Sequence, residues 1–200
     1  MRSAFVLPLY PLQDIVLLPG EQCGLAPESE HLRAIVERAR DFGGAVVASL
    51  ADGESVHEVG VTAIVSGEPE SEASLYGVSR CRLLSLVSED VPMVRAERFP
   101  EAPAAEQRQA TVARLLHTRY ERLLLRVGRE PAGISPQDLT ALTWKVTADI
   151  GLPAEQQQGF LNVPDPVTRG RLLLLALREL ERRERFLKPW AHLRTTAPWN

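Results

Sequence analysis

Apolar and polar positions change their spacing midway along the chain. In the first hundred residues, short apolar runs alternate with turn residues, and Val59, Val61, Ala63 and Val65 recur at every second position. This alternation is typical of a β-strand with one buried face. The same pattern predicts strands at 5–10, 15–18, 45–50, 57–65, 75–87 and 93–99. Its phase shifts near Leu83 and Leu84, where we expect a β-bulge.

Only one segment of the first half has helical spacing, at residues 28–42, where the apolar positions fall on one face before Gly43 and Gly44. The opening run 7–20, LPLYPLQDIVLLPG, carries prolines at 8, 11 and 19. A proline donates no backbone hydrogen bond, so this run predicts an edge-tolerant first strand and a second strand that ends at Pro19-Gly20.

The second half follows the helical period throughout. Residues 100–106 have the composition of a linker, and helices are expected at 107–127, after a cap at Ser135-Pro136, around 155–161, and at 167–187 behind Asp165. In the last helix, Glu179–Arg183, Glu181–Arg185 and Glu184–Lys188 are spaced for ion pairs on a solvated face.

These patterns predict an α+β fold with a boundary near residue 100. Many short strands with one helix favour a closed or nearly closed β-barrel in 1–100, and 101–200 should form a helical subdomain. The net charge changes with the pattern: residues 1–100 hold 8 Arg against 15 acids, a net −7, whereas 101–200 hold 15 bases against 11 acids, a net +4. An acidic first half argues against nucleic acid as its partner, because phosphate binding needs clustered Lys and Arg.

The composition indicates the class of protein, its compartment and the state of its cysteines. Hydrophobic residues make up 44% and charged residues 24%, as in ordinary globular proteins, and no apolar run reaches the roughly 20 residues of a membrane helix. Pro8, Pro11 and Asp14 interrupt the N-terminal apolar stretch, so it does not read as a signal peptide. We therefore expect a cytoplasmic protein in which Cys23 and Cys81 are free thiols.

Four motifs carry a resemblance to a known family. The opening 7–20, the strand VGVTAIV at 59–65, the Gly77-Val78-Ser79-Arg80 strand and the Asp165/Arg169 helix start resemble the N-terminal substrate-binding domain of bacterial Lon proteases. The resemblance spans nearly the whole chain and implies a PUA-like β pseudo-barrel followed by a helical bundle. It also implies recognition of exposed apolar segments in unfolded or tagged polypeptides. The stretch EQCGLAPESEHLRAI at 21–35 departs from the family pattern.

The sequence lacks the catalytic signatures of a full Lon protease. It contains no Gly-Lys dipeptide and so no phosphate-cradling loop, which predicts ATP-independent action. A Ser-Lys dyad would need a buried lysine, and neither Lys145 nor Lys188 has a suitable setting. The four histidines show no ligand spacing, and the acidic cluster Glu68, Glu70 and Glu72 lacks the order of a calcium loop. We predict no catalytic residue, no cofactor and no metal.

The sequence therefore favours a non-catalytic polypeptide-binding module of the substrate-recognition or adaptor kind. Leu18, Pro19 and Trp144 are the candidate binding residues, near the turn Leu18-Pro19-Gly20 at the barrel rim, which we call the rim turn, or at the seam between barrel and helices. Trp144, Trp190 and Trp199 are candidates for an aromatic contact surface. The alternatives are a PUA-like nucleic-acid-binding module and a small-molecule pocket protein.

Overall fold

The computed structural model describes residues 4–25, 30–67, 73–88, 90–130 and 137–187. Its strands are β1 (Ala4–Leu12), β2 (Gln22–Leu25), β3 (Ala45–Asp52), β4 (Ser55–Val56), β5 (Val59–Ser66), β6 (Ala73–Ser88) and β7 (Met93–Arg98). Its helices are α1 (Glu30–Arg40), α2 (Glu106–Arg126), α3 (Leu139–Asp149), α4 (Ala154–Asn162) and α5 (Pro166–Leu187). None of the described helices is long and apolar enough to span a membrane.

The sheet closes because β1 changes partners along its length. Residues 4–8 pair antiparallel with β7, whereas residues 9–12 pair parallel with β3. The ring therefore runs β1-β7-β6-β5-β3 and returns to β1, and the α+β prediction of a barrel followed by helices is confirmed. Pro8 lies at the change of partner, where Leu9 N donates to Pro92 O at 2.7 Å. A proline at that switch costs little, because the ladder is interrupted there in any case.

The prediction of a second strand at 15–18 is wrong. Asp14 adopts a left-handed backbone, with φ at 57°, and the chain leaves the ladder after Leu12. Val16, Leu17 and Leu18 are nevertheless buried, in the core cluster that α1 covers. A buried irregular segment and a short strand leave the same apolar run in a sequence, so the pattern does not distinguish them.

Three register shifts interrupt β6 among the described residues, one of which lies against β7 between Leu86 and Ser88. The predicted bulge near Leu83 and Leu84 is confirmed by a register shift against β7 between Leu83 and Ser85. A second shift, against β5, leaves Val78 without an opposite residue between the pairs Thr62–Ser79 and Ala63–Gly77. The acidic cluster Glu68, Glu70 and Glu72 lies outside the described residues.

In the described part of the chain the helices match the predicted ranges to within two residues, except at the start of α3. That helix begins at Leu139 and is capped by Asp138, whose carboxylate accepts from Ala141 N at 3.0 Å. The cap predicted at Ser135 is therefore misplaced by three residues, and Ser135 and Pro136 themselves lie outside the described part of the chain. Asp165 does open α5, since its carboxylate accepts from Val167 N and Thr168 N.

Strands lie before residue 100 and α2–α5 after it, yet the two halves share a core. Trp144 and Leu161 from the helical half pack in one cluster with barrel residues such as Val61 and Leu75. A separate cluster joins α2, α3 and α5. The division into subdomains 1–100 and 101–200 stays a proposal.

Cys23 and Cys81 are both free thiols, and burial raises the pKa of Cys81 to about 12.

Candidate functional site

A cleft opens at the seam where β6 and the rim turn of the barrel meet α3. It encloses about 330 Å³, and we call it the seam cleft. Its lining includes Pro19, Gly20, Val78, Ser79, Arg80, Phe99, Glu101, Asp138 and Trp144. Two of the three binding residues predicted from the sequence, Pro19 and Trp144, thus lie in one cavity although they are far apart in the chain.

The rim turn is held against β6 by a close backbone approach. Gly20 N donates to Gly77 O at 2.8 Å, and Gly77 N donates to Glu21 O at 2.9 Å. A Cβ at position 77 would lie 2.3 Å from Leu18 O, so only glycine lets the turn lie directly on the strand. This contact places Pro19 at the mouth of the seam cleft.

The second bulge of β6 turns Arg80 inward. Val78 and Ser79 are both exposed, whereas Gly77 before them and Arg80 after them are buried. Arg80 Nη1 donates to Leu161 O at 2.9 Å and to Val163 O at 2.8 Å, at the end of α4. A barrel side chain therefore satisfies the carbonyl groups that this helix end leaves free.

Arg169, on α5, reaches the same place from the helical half and is fully buried. Its Nε donates to Thr143 Oγ1 at 2.9 Å, and its Nη1 donates to Val163 O at 2.9 Å and Glu101 Oε2 at 3.1 Å. Its guanidinium lies 3.6 Å from the centroid of Trp144. Trp144 is thus 3% exposed and fixed by a cation, so it is not a free aromatic contact.

Two cations share one carboxylate at the floor of the seam cleft. Glu101 Oε2 lies 3.0 Å from Arg80 Nη2 and 3.1 Å from Arg169 Nη2, but neither Nη2 is oriented for a hydrogen bond. Burial lowers the pKa of Arg169 to about 10 and also lowers that of Arg80, while Glu101 opposes both changes. Both arginines remain charged at neutral pH. The ring faces of Trp144 and Phe99 attract the guanidinium groups and partly offset the excess positive charge, and the centroid of Phe99 lies 4.6 Å from Arg80.

An exposed apolar strip leads from the barrel surface to this cleft. Val78 is 51% exposed, Tyr76 lies two residues before it on the same strand, and Ile64 lies opposite Tyr76 on β5. Side chains of this kind on a sheet face bind apolar groups without directional chemistry. Among the described residues no group of three or more His, Cys, Asp or Glu is placed to hold a metal ion.

The residues predicted from the sequence have different positions. Pro19 lines the cleft, Trp144 forms part of its wall from a buried position, and Leu18 is 2% exposed beneath the rim turn. The side chains of Leu18 and Trp144 are thus buried, and the role of all three residues in binding stays a prediction. Trp190 and Trp199 lie outside the described residues.

Sequence reasoning missed the ionic floor of the cleft. Arg80 and Arg169 belong to the Gly-x-x-Arg and Asp-x-x-x-Arg motifs, so both were visible as parts of a resemblance. Glu101 lies in the stretch interpreted as a linker, and no pattern connects it to the two arginines. Lys145, weighed and rejected as a dyad lysine, pairs with Asp149 at 3.1 Å and Glu21 at 3.7 Å.

Residues 6–179 match the sequence profile of the ATP-dependent protease La (LON) substrate-binding domain. Among solved structures, the N-terminal domain of Mycobacterium avium complex Lon protease is 19% identical, with a TM-score of 0.72, over 87% of this chain and 98% of that chain. The Lon N-terminal domain protein from Xanthomonas campestris is 21% identical, with a TM-score of 0.64, over 86% and 98%. These structures share the fold. No curated protein matches the chain.

Proposed function

Because the chain belongs to the Lon substrate-binding domain family, we propose that it is a non-catalytic module that binds exposed apolar segments of polypeptides at the seam cleft. The family supports a substrate-binding module, and the location and chemistry of binding are our inference. The bound segment would lie along the strip of Ile64, Tyr76 and Val78 and place an apolar side chain in the cleft.

The observation that carries the proposal is the continuity of this strip with the cleft. Three large apolar side chains, between 41% and 51% exposed, lie side by side on β5 and β6. The last of them, Val78, lines a cavity of about 330 Å³ together with Pro19 and Phe99. A cavity of this size with mostly apolar walls suits one or two side chains of a ligand.

The seam cleft should be ordered before a ligand binds. Glu101 and the two arginines fix the floor through hydrogen bonds to both halves of the chain. A binding site that is already ordered loses less entropy when its ligand arrives. The arginines then serve to position Trp144 and Phe99 and need not contact the ligand.

A matched pair of substitutions on β6 tests the proposal. Val78 and Val87 are 51% and 55% exposed on the same strand, and only Val78 lines the seam cleft. We expect Val78→Glu to weaken binding of a fluorescently labelled, permanently unfolded model protein by about tenfold, since an apolar contact of ~1.4 kcal/mol is lost. Val87→Glu adds the same charge elsewhere and should leave the affinity unchanged. Equal losses in the two variants would contradict binding at the cleft.

Salt distinguishes this mode from nucleic-acid binding. Apolar contact should change little between ~50 and ~200 mM salt, whereas a phosphate partner would lose orders of magnitude in affinity over that range. The anisotropy titration is therefore repeated with a short RNA. Tight, steeply salt-dependent RNA binding without polypeptide binding would overturn the proposal.

A module without chemistry of its own should also be inert as an enzyme. The chain has no Gly-Lys dipeptide for a phosphate loop. We expect the purified protein neither to hydrolyse ATP nor to cleave casein. A turnover that survives repurification and is abolished by one substitution would show that the assignment is wrong.

A further inference from the structure

A second cavity lies between α2 and α5, on the helical half and outside the seam cleft. It encloses about 480 Å³, and we call it the α2–α5 groove. Four arginines line it, Arg114, Arg119, Arg122 and Arg178, together with Leu115 and Leu174. No acidic residue is among the described residues that line it.

The charge of this groove is largely uncompensated. Glu181 is bound by Arg119, whose Nε and Nη2 donate to its two carboxylate oxygens at 3.3 and 3.1 Å. Arg114, Arg122 and Arg178 are exposed, and within the described ranges none of them has an ion-pair partner. Four guanidinium groups and one carboxylate leave a net charge of +3 at the groove. Arg126 and Arg185 add to it, since both help to lower the pKa of Glu181.

This arrangement corrects an expectation from the sequence. The i,i+4 spacing predicts that Glu181 neutralises Arg185, but Glu181 instead bonds across to Arg119 on the neighbouring helix. Glu179 does pair with Arg183 as predicted, at 3.5 Å, and also with Arg182. The predicted pair Glu184–Lys188 lies outside the described residues. Glu181 thus joins α5 to α2 and Glu179 pairs along α5, and neither carboxylate lines the groove.

The groove has an apolar floor as well as a cationic rim. Leu115 is 52% exposed between Arg114 and Arg119, and Leu174 lies opposite it on α5. Single-stranded nucleic acids favour aromatic platforms on which bases stack, and no aromatic side chain is among the described lining residues. Carboxylates that alternate with leucine-like side chains fit both features, because arginine binds carboxylates in a bidentate manner and leucines pack on leucines.

We propose that the α2–α5 groove is a docking site for an acidic polypeptide segment whose carboxylates flank apolar side chains. This inference goes beyond the proposed function, since it concerns a different surface and a ligand of different charge. The chain would then engage two kinds of polypeptide feature, an apolar one at the seam cleft and an acidic one at the groove.

The probe is a short labelled peptide in which Glu and Leu repeat at helical spacing. Its control is the same peptide with Gln in place of Glu. We expect the full chain to bind the acidic peptide, and its affinity to fall by about tenfold or more between ~50 and ~200 mM salt, because the contacts are ionic and exposed. The Gln peptide should bind at least about tenfold more weakly at low salt. Equal binding of the two peptides would overturn the proposal.

Charge-matched variants locate the site. Arg114→Gln, Arg122→Gln and Arg178→Gln together should weaken binding of the acidic peptide by about tenfold or more. The control triple Arg33→Gln, Arg95→Gln and Arg98→Gln removes the same charge from exposed positions of the barrel half and should leave the affinity within about twofold. Circular dichroism checks that both triples are folded. Equal losses in the two triples would show non-specific attraction and would contradict the groove.

Two further measurements test other possible ligands of the α2–α5 groove, namely RNA and a second copy of the chain. A single-stranded RNA with the same number of charges should bind more weakly than the peptide, and tighter RNA binding at the groove would overturn the choice of ligand. Light scattering at low salt should report a monomer, whereas self-association abolished by the groove triple would assign the groove to a second copy of the chain. Val78→Glu should not affect the acidic peptide, so failure of this inference and failure of the seam-cleft proposal are told apart.

Discussion

The seam cleft and the α2–α5 groove both depend on arginine, in opposite surroundings. Arg80 and Arg169 are 4% and 0% exposed and have hydrogen-bond acceptors, a carboxylate and aromatic rings around them. Arg114, Arg122 and Arg178 are exposed, have no ion-pair partner among the described residues, and lie beside other cations.

The difference shows how burial changes what one side chain does. A buried guanidinium needs hydrogen-bond acceptors and a counter-charge from the protein, so it becomes part of the framework and joins the two halves of the chain. An exposed guanidinium loses little by remaining unpaired in water, so it stays available to a ligand. Substitutions of the buried arginines should therefore change the free energy of unfolding. Substitutions of the exposed arginines in the groove should change the affinity for a ligand.

Removing the shared carboxylate gives the largest expected effect. Glu101→Gln keeps the shape of the side chain but removes the carboxylate that Arg80 and Arg169 share inside the seam. Breaking a buried ion pair costs about 3–5 kcal/mol, and because Glu101 is partly exposed we expect about 3 kcal/mol from urea denaturation. Glu37→Gln, at an exposed position of α1, should cost less than about 0.5 kcal/mol.

A double variant sharpens this test. Arg169→Met added to Glu101→Gln removes one of the two uncompensated cations, so the double variant should be more stable than Glu101→Gln alone. A further loss of stability, equal to that of Arg169→Met in the wild-type background, would show that the charges act independently. The shared-carboxylate account of the seam would then be wrong.

The rim turn gives the next largest effect. Gly77→Ala places a Cβ 2.3 Å from Leu18 O, and this backbone atom does not move away easily because Leu18 is buried. We expect the turn to shift from β6 at a cost of about 1–3 kcal/mol, with weaker binding at the seam cleft. Gly24→Ala is the control, because its Cβ would meet nothing within 4 Å and its backbone is not left-handed. An unchanged stability for Gly77→Ala would contradict the close approach.

Much of this framework could be predicted from the sequence, and the reason lies in periodicity. The alternation of Val59, Val61 and Ala63 specifies β5, and the phase shift near Leu83 specifies a bulge, because each records which face is buried. The strand predicted at 15–18 is wrong because an apolar run indicates that a segment is buried. It does not indicate whether the backbone of that segment pairs in a sheet. The bulge at Val78 escaped notice for a similar reason, since two exposed residues in a row leave a weak signal.

The site itself depends on contacts between distant residues. Arg80, Glu101 and Arg169 meet only after the helical half folds back on the barrel, and no local pattern relates their positions. Pro19 and Trp144 were placed near the cleft by the argument that pockets form at seams, although Trp144 is held by Arg169 and not exposed. The pair Arg119–Glu181 is likewise not predictable from local spacing. The i,i+4 spacing favours Arg185 as the partner of Glu181, whereas tertiary packing brings Glu181 to Arg119.

Substitution of Glu181, which binds Arg119, should give a smaller change in stability, and this change should depend on pH. The hydrogen bonds from Arg119 hold the pKa of Glu181 below its ordinary value of 4.5. A carboxylate with a lowered folded-state pKa contributes stability that is present above its unfolded pKa and lost as the pH falls through the folded one. Glu181→Gln should therefore cost about 1 kcal/mol at pH 7, and the difference from wild type should shrink below pH ~4.5. Urea denaturation across this pH range measures it, and parallel curves would contradict the assignment.

The exposed arginines of the groove give the smallest expected change in stability. Arg114→Gln, Arg122→Gln and Arg178→Gln should each alter the free energy of unfolding by less than about 0.5 kcal/mol, because their guanidinium groups remain hydrated in the native state. The triple variant should even unfold at slightly higher urea concentration at low salt, since it relieves repulsion among like charges around the groove, and added salt should remove that gain. The barrel triple Arg33→Gln, Arg95→Gln and Arg98→Gln should show no such gain, because the barrel half carries a net −7 and loses attraction when cations are removed. A groove triple that unfolds several kcal/mol more easily would mean that these arginines are framework residues like Arg80 and Arg169. The contrast between the two sets of arginines would then disappear.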